Sequence, residues 1–132
     1  MTVLTVDAHI TFLYTRDLER ADRFYRGTLG LELALDQGRC RIYRVRPGAY
    51  IGLCARQAPA ATPETASGSD CVVLTLVCPD VEGWAEVLAD RGAELEGPPV
   101  INPAFGIFHF FLRDPDGHRL EIQRFLDPRW QG

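Results

Sequence analysis

Two stretches decide the fold: residues 9–30, HITFLYTRDLERADRFYRGTLG, and residues 71–92, CVVLTLVCPDVEGWAEVLADRG. Each opens with a β-branched and aromatic run that reads as a strand. An aspartate follows, Asp17 in the first and Asp80 in the second, at the place where a side-chain oxygen caps a helix. Apolar residues then recur at helical spacing: Leu18, Ala21, Phe24 and Tyr25 in one stretch, Val81, Trp84, Val87 and Leu88 in the other. Gly27 and Gly30 offer stops for the first helix, and Gly92 ends the second.

Outward from these stretches the plan continues in parallel. After the first helix, strands are predicted at residues 31–35, 40–45 and 49–54, the last two joined by a turn at Pro47 and Gly48. After the second they are predicted at 93–96, 107–113 and 119–125, with DPDG at 114–117 as the turn. The two halves share one element order, which defines an α+β domain of two βαβββ modules forming a curved mixed sheet around a cleft. The boundaries are a first module over 1–55, a connector rich in Ala, Pro, Ser and Thr over 56–70, a second module over 71–126 and a tail over 127–132.

Composition narrows the function. At 132 residues, 46% hydrophobic and 24% charged, the chain is one ordinary globular domain. Its net charge of −4 argues against a nucleic-acid partner, because affinity for phosphate backbones rests on clustered positive charge. All 14 basic residues are arginines, so Schiff-base chemistry and the phosphate-gripping lysine of P-loops are excluded. No apolar run reaches the roughly 18 to 20 residues of a membrane span, and the first residues lack the basic start of a signal peptide. The expectation is a cytoplasmic protein without a membrane partner. Cys40, Cys54, Cys71 and Cys78 fall at irregular spacings with no C-x-x-C pair, and are expected to be reduced.

RDLERADRFYRGTLGLEL at 16–33 and FLRDPDGHRLEIQRF at 111–125 resemble signatures of the vicinal oxygen chelate superfamily. That group includes glyoxalase I, extradiol dioxygenases, fosfomycin-resistance thiol transferases and bleomycin-binding proteins. The resemblance implies paired βαβββ modules and a homodimer. It does not imply one reaction, since one fold hosts many chemistries. In the metal-dependent members four cleft-facing positions, usually His or Glu, hold a divalent cation, and those positions correspond here to Ile10, Gly52, Val73 and Glu121. Only Glu121 is a metal-binding residue type, and one carboxylate is a poor cage for iron, nickel or zinc. No cofactor is therefore expected, a divalent metal being the lesser alternative. His9 and Cys71 lie near two of the positions, but strand alternation sends His9 to the helix side and Cys71 to a strand end.

The same alternation outlines the cleft. Ile10, Phe12, Tyr14 and Arg16 are expected to face inward from the first strand; Ile107, His109 and Phe111 from the seventh; Arg119, Glu121 and Gln123 from the eighth. Tyr43 and Tyr50 are expected to join them from the first module. An aromatic lining with a few polar groups is the usual design of a small-molecule pocket. His109 and Glu121, on adjacent strands, are expected within hydrogen-bonding range, where they either satisfy each other or serve as acid and base. Arg119 can grip a ligand carboxylate or form a surface salt bridge. His118 reads as an exposed turn residue, Trp84 as core, and Trp130 as a cover for the sheet edge or a partner contact. Two functions follow from this reading: a metal-free protein binding a small apolar or aromatic molecule, or a lyase, isomerase or dioxygenase using Glu121 with His109 or a rearranged metal site.

Overall fold

The structure is a computed structural model that describes residues 3–56 and 72–130. The expected connector and the cysteine at position 71 lie almost wholly outside the described residues. Contacts divide the chain into two compact units, residues 1–61 and 62–132, and each is a βαβββ module.

In the first module β1 (His9–Thr15) leads to α1 (Leu18–Asp22), where the Asp17 carboxylate accepts the Arg20 N–H at 3.1 Å. The sequence expects one α-helix here. Instead α1 widens into a π-helical turn over Arg23–Thr28, with the Leu29 N–H donating to the Phe24 carbonyl at 2.8 Å. The wide turn runs through Gly27, and the chain reverses at Gly30, whose φ of 75° suits a residue without Cβ. β2 (Glu32–Asp36), β3 (Cys40–Arg46) and β4 (Ala49–Ala55) complete a sheet of order β1-β4-β3-β2, with β1 parallel to β4.

The second module repeats the plan in the order β5-β8-β7-β6. It comprises β5 (Val73–Val77), α2 (Val81–Asp90), β6 (Val100–Asn102), β7 (Ile107–Arg113) and β8 (Arg119–Phe125). Asp80 caps α2 by accepting the Gly83 N–H at 3.0 Å, and Gly92, at φ 89°, follows its end. One strand differs from expectation. Residues 93–96 make only the isolated bridge of Leu95 to Leu112, and the edge strand forms later, at β6. Residues 93–96 alternate as a strand does, but Gly97, at φ 105°, and then Pro98 and Pro99, which lack an N–H to donate, break the run before β6.

Each sheet has a packed side and an open side. Leu53, Ile51, Tyr43, Phe24 and Tyr25 form the buried side of the first module. Leu76, Val81, Leu88, Phe110, Leu112, Leu120 and Ile122 form that of the second. Val87, expected in the α2 core stripe, is exposed.

Candidate functional site

On the open side of the second module the strand registers arrange side chains in rows. His109 pairs with Gln123 and Phe111 with Glu121, while Thr75 of β5 pairs with Glu121 from its other flank. Partners in register point to the same side of a sheet, so Ile107, His109, Phe111, Arg119, Glu121 and Gln123 share one face, as alternation predicts. Val73 and Val77 lie on it as well.

The centre of that face is polar and sheltered: His109 is 7% exposed and Glu121 9%. Nδ1 of His109 lies 2.6 Å from Oε2 of Glu121, and the Thr75 hydroxyl donates to Oε1 at 2.8 Å. A carboxylate accepts and does not donate, so this contact places the ring hydrogen on Nδ1 and leaves Nε2 as the nitrogen that does not engage Glu121. Phe111 meets the His109 ring edge to face at 5.0 Å. The Arg119 guanidinium covers Phe111, 3.7 Å from its centroid, and donates to Glu96. The surface salt bridge is thus the arrangement Arg119 adopts. Glu96 also receives Arg113, and hydrogen bonds from Arg113 and Arg119 hold its carboxyl below the ordinary carboxylate range.

The open side of the first module is aromatic. Ile10 is in register with Tyr50, Phe12 with Gly52 and Tyr14 with Cys54, so Phe12, Tyr14 and Tyr50 lie on it as predicted. Phe12 is 51% exposed and Tyr14 63%. Arg44 approaches the Tyr50 ring at 5.8 Å, and Arg56 the Tyr14 ring at 5.6 Å. The Phe12 ring lies over Gly52, occupying the space that a Cβ at residue 52 would enter. Gly52→Ala is therefore expected to push the Phe12 ring aside at a cost of about 1 kcal/mol, the low end for overpacking because a half-exposed ring can swing outward. A urea midpoint, with the Phe12 ring resonances as a local reporter, checks this; an unmoved ring contradicts the overlap.

Two expectations are corrected in this module. Tyr43 does not join the open face: it is fully buried on the helix side, stacks on Tyr25 at 6.0 Å and donates its hydroxyl to Asp22 Oδ1 at 2.6 Å. Burial, then the Asp22 carboxylate, pushes the Tyr43 phenol well above its ordinary value. Nor are all the cysteines reduced, since Cys40 and Cys54 form a disulfide. Cys78 is free and buried, and burial pushes its thiol up to about 11.

The remaining candidates fall in place around these faces. His9 is exposed at the start of β1, and its N–H donates to the Gly48 carbonyl. His118 is half-buried in its turn, where its backbone N–H donates to Asp114 at 2.8 Å. Trp84 is half-buried. Trp130 stacks on Phe125 at 4.1 Å, covering its own strand. The sequence reading missed Thr75 as a partner of Glu121; its signal was parity with Val73 on β5.

Among the described residues no three His, Cys, Asp or Glu side chains converge as an ion shell. The four inherited metal positions do not fit a cation: Ile10 and Val73 carry no donor, Gly52 sits beneath Phe12, and both oxygens of Glu121 are engaged. No described helix is long and apolar enough to cross a membrane.

Two βαβββ modules, each with β1 or β5 parallel to its last strand, define a fold class shared by many solved structures. The chain belongs to the Glyoxalase/Bleomycin resistance protein/Dioxygenase superfamily, whose family model matches residues 8–122. It is similar to a glyoxalase/bleomycin resistance protein/dioxygenase from Nocardioides at 22% identity and a TM-score of 0.77, covering 100% of this chain and 93% of that one. A glyoxalase-related enzyme from Fulvimarina pelagi matches at 24% identity and a TM-score of 0.74, over 97% and 92% of the two chains. A lactoylglutathione lyase from Agrobacterium tumefaciens matches at 23% and 0.69, over 87% and 90%. Identities this low carry the fold and not the activity. A search of curated proteins found no match.

Proposed function

We propose that this protein binds a small, flat, apolar or aromatic molecule without a metal ion, acting as a cytoplasmic homodimer. One observation carries the reading: Glu121, the single inherited metal position with a ligating side chain, is committed to Thr75 and His109. The first module offers half-exposed Phe12 and Tyr14, and the second offers Phe111 beside its sheltered polar cluster, each a stacking surface of the kind aromatic ligands use.

The test has two arms. Metal analysis of protein purified without chelator is expected to find no stoichiometric metal, and bound iron, nickel or zinc at one per chain overturns the metal-free part. A panel of aromatic metabolites and antibiotics is expected to contain compounds that quench tryptophan or tyrosine fluorescence and raise the melting temperature. A ligand at about a hundred times its Kd adds roughly 2.7 kcal/mol. A panel that moves neither signal counts against binding, and sedimentation as a monomer removes the dimer.

One observation favours a second reading, catalysis by the His109–Glu121 pair: their 2.6 Å contact is the geometry of a base oriented by a carboxylate. On any substrate found to turn over, Glu121→Gln is expected to lower kcat if this holds. Unchanged turnover excludes the pair.

A further inference from the structure

We propose that Cys40 and Cys54 are a reversible thiol–disulfide pair, reduced by dithiols, that clasps the outer end of the first module's open face. Both residues lie on that face: Cys54 is in register with Cys40 on one side and with Tyr14 on the other. They sit at the end of the β3–β4 hairpin remote from its turn at Pro47 and Gly48. Backbone hydrogen bonds beyond them include those of Gln37 N–H to Cys40, Ala55 N–H to Arg39 and Arg56 N–H to Thr15, at 2.8, 2.8 and 2.9 Å.

Three features make the bridge exchangeable. Both cysteines are half-buried and on the open side, so a thiolate can reach a sulfur. Arg39 precedes Cys40, and the Arg56 guanidinium reaches over Tyr14 in the same row; cations nearby favour the thiolate form of a released cysteine. The β3–β4 pairing from Arg46–Ala49 to Cys40–Cys54 is made by backbone groups and does not use the sulfurs, which lets both redox states keep the fold. Cys78 supplies the contrast, being buried, single and held as a thiol.

In the reductive step one thiolate of the dithiol attacks a protein sulfur, forming a mixed disulfide and releasing the other cysteine as a thiolate. The second thiol of the reductant closes onto its own mixed disulfide and expels the first cysteine. The Cys40–Cys54 bond breaks, a disulfide forms within the reductant, two electrons pass to the protein and the protons end on the two cysteines. Glutathione disulfide drives the reverse reaction through the same exchanges.

The experiment uses the intact protein, equilibrated under native conditions with glutathione disulfide or with dithiothreitol, then denatured in alkylating reagent and weighed. Two of the four cysteines are expected to be alkylated in the oxidised sample and all four in the reduced one, interconvertibly. Reduction is expected to lower the melting temperature by on the order of 10 °C, since the bridge spans a separation of 14 residues, with far-UV circular dichroism retained. Amide exchange is expected to rise at Ala55 and Arg56 and to stay constant near the hairpin turn. The Cys40→Ser, Cys54→Ser double variant is expected to lose the response to dithiothreitol. Four alkylated cysteines after glutathione disulfide, or a bridge that survives native dithiothreitol, overturns the proposal. So does reduction that leaves Ala55 and Arg56 as protected as before.

Discussion

Asp22→Ala is expected to be among the most damaging single substitutions outside the apolar core, lowering stability by about 2 to 4 kcal/mol in urea unfolding. Asp22 is buried between α1 and β3, where it accepts the Tyr43 hydroxyl at 2.6 Å and Arg26 at 2.9 Å, with Arg41 3.6 Å away. Removing the carboxylate strands a fully buried phenol, takes away the ion-pair partner of Arg26 and leaves Arg41 with Glu19 and Asp36. Tyr43→Phe removes one hydrogen bond and leaves those ion pairs, so its expected cost is smaller, about 1 to 1.5 kcal/mol. A Tyr43→Phe cost equal to that of Asp22→Ala would mean that the charges contribute nothing.

The same cluster sets an acid dependence. Burial raises the Asp22 pKa, but the Tyr43 hydroxyl, Arg26 and Arg41 together outweigh it and hold the folded value below the ordinary 3.8. A carboxyl with a depressed folded pKa stabilises the protein fully above its unfolded value and ceases to do so as pH falls through the folded value. The urea midpoint of the parent is thus expected to fall through the acid range below about pH 4 more steeply than that of Asp22→Asn. Parallel profiles would remove Asp22 as a cause.

Glu121→Ala is the second large effect expected, at roughly 2 to 4 kcal/mol, because it leaves Nδ1–H of His109 and the Thr75 hydroxyl without their acceptor in a sheltered place. Glu121→Gln preserves shape and one carbonyl acceptor and is expected to cost about 1 kcal/mol. If the open face of the second module binds ligand against Phe111, the Ala variant also weakens binding, since His109 is then free to rotate. Full stability in Glu121→Ala would show that the buried pair is worth no more than its absence, which the hydrogen-bond geometry contradicts.

The open face of the second module was legible in the sequence almost side chain by side chain. β7 and β8 are regular, their register is continuous from Ile107–Phe125 to Arg113–Arg119, and period-two alternation assigns every direction correctly. The first module was less legible, both at the π-helical turn after α1 and at one place in its sheet. The turn at Pro47 and Gly48 brings Arg46 opposite Ala49, but the register slips by one residue between Arg44 and Arg46. That bulge turns Tyr43 to the helix side, where Asp22 and Tyr25 receive it, and sets Cys40 opposite Cys54. Continued without the slip, the pairing puts Cys54 opposite Arg41 and no bridge forms. Nothing in the local residues marks the bulge, because its stability comes from what Tyr43 meets across the sheet.

The repeated strand, capping aspartate and helix, the aromatic parity of β1 and the loss of three metal-binding residue types were determined by sequence, since each depends on residue type and short-range periodicity. Tertiary structure decided that Glu121 is held by Thr75 as well as His109, that Phe12 fills the space over Gly52, that Arg119 turns to Glu96, and that two cysteines meet. Those outcomes join residues from different strands through register and packing, and a one-residue slip in a ladder reverses every side chain beyond it.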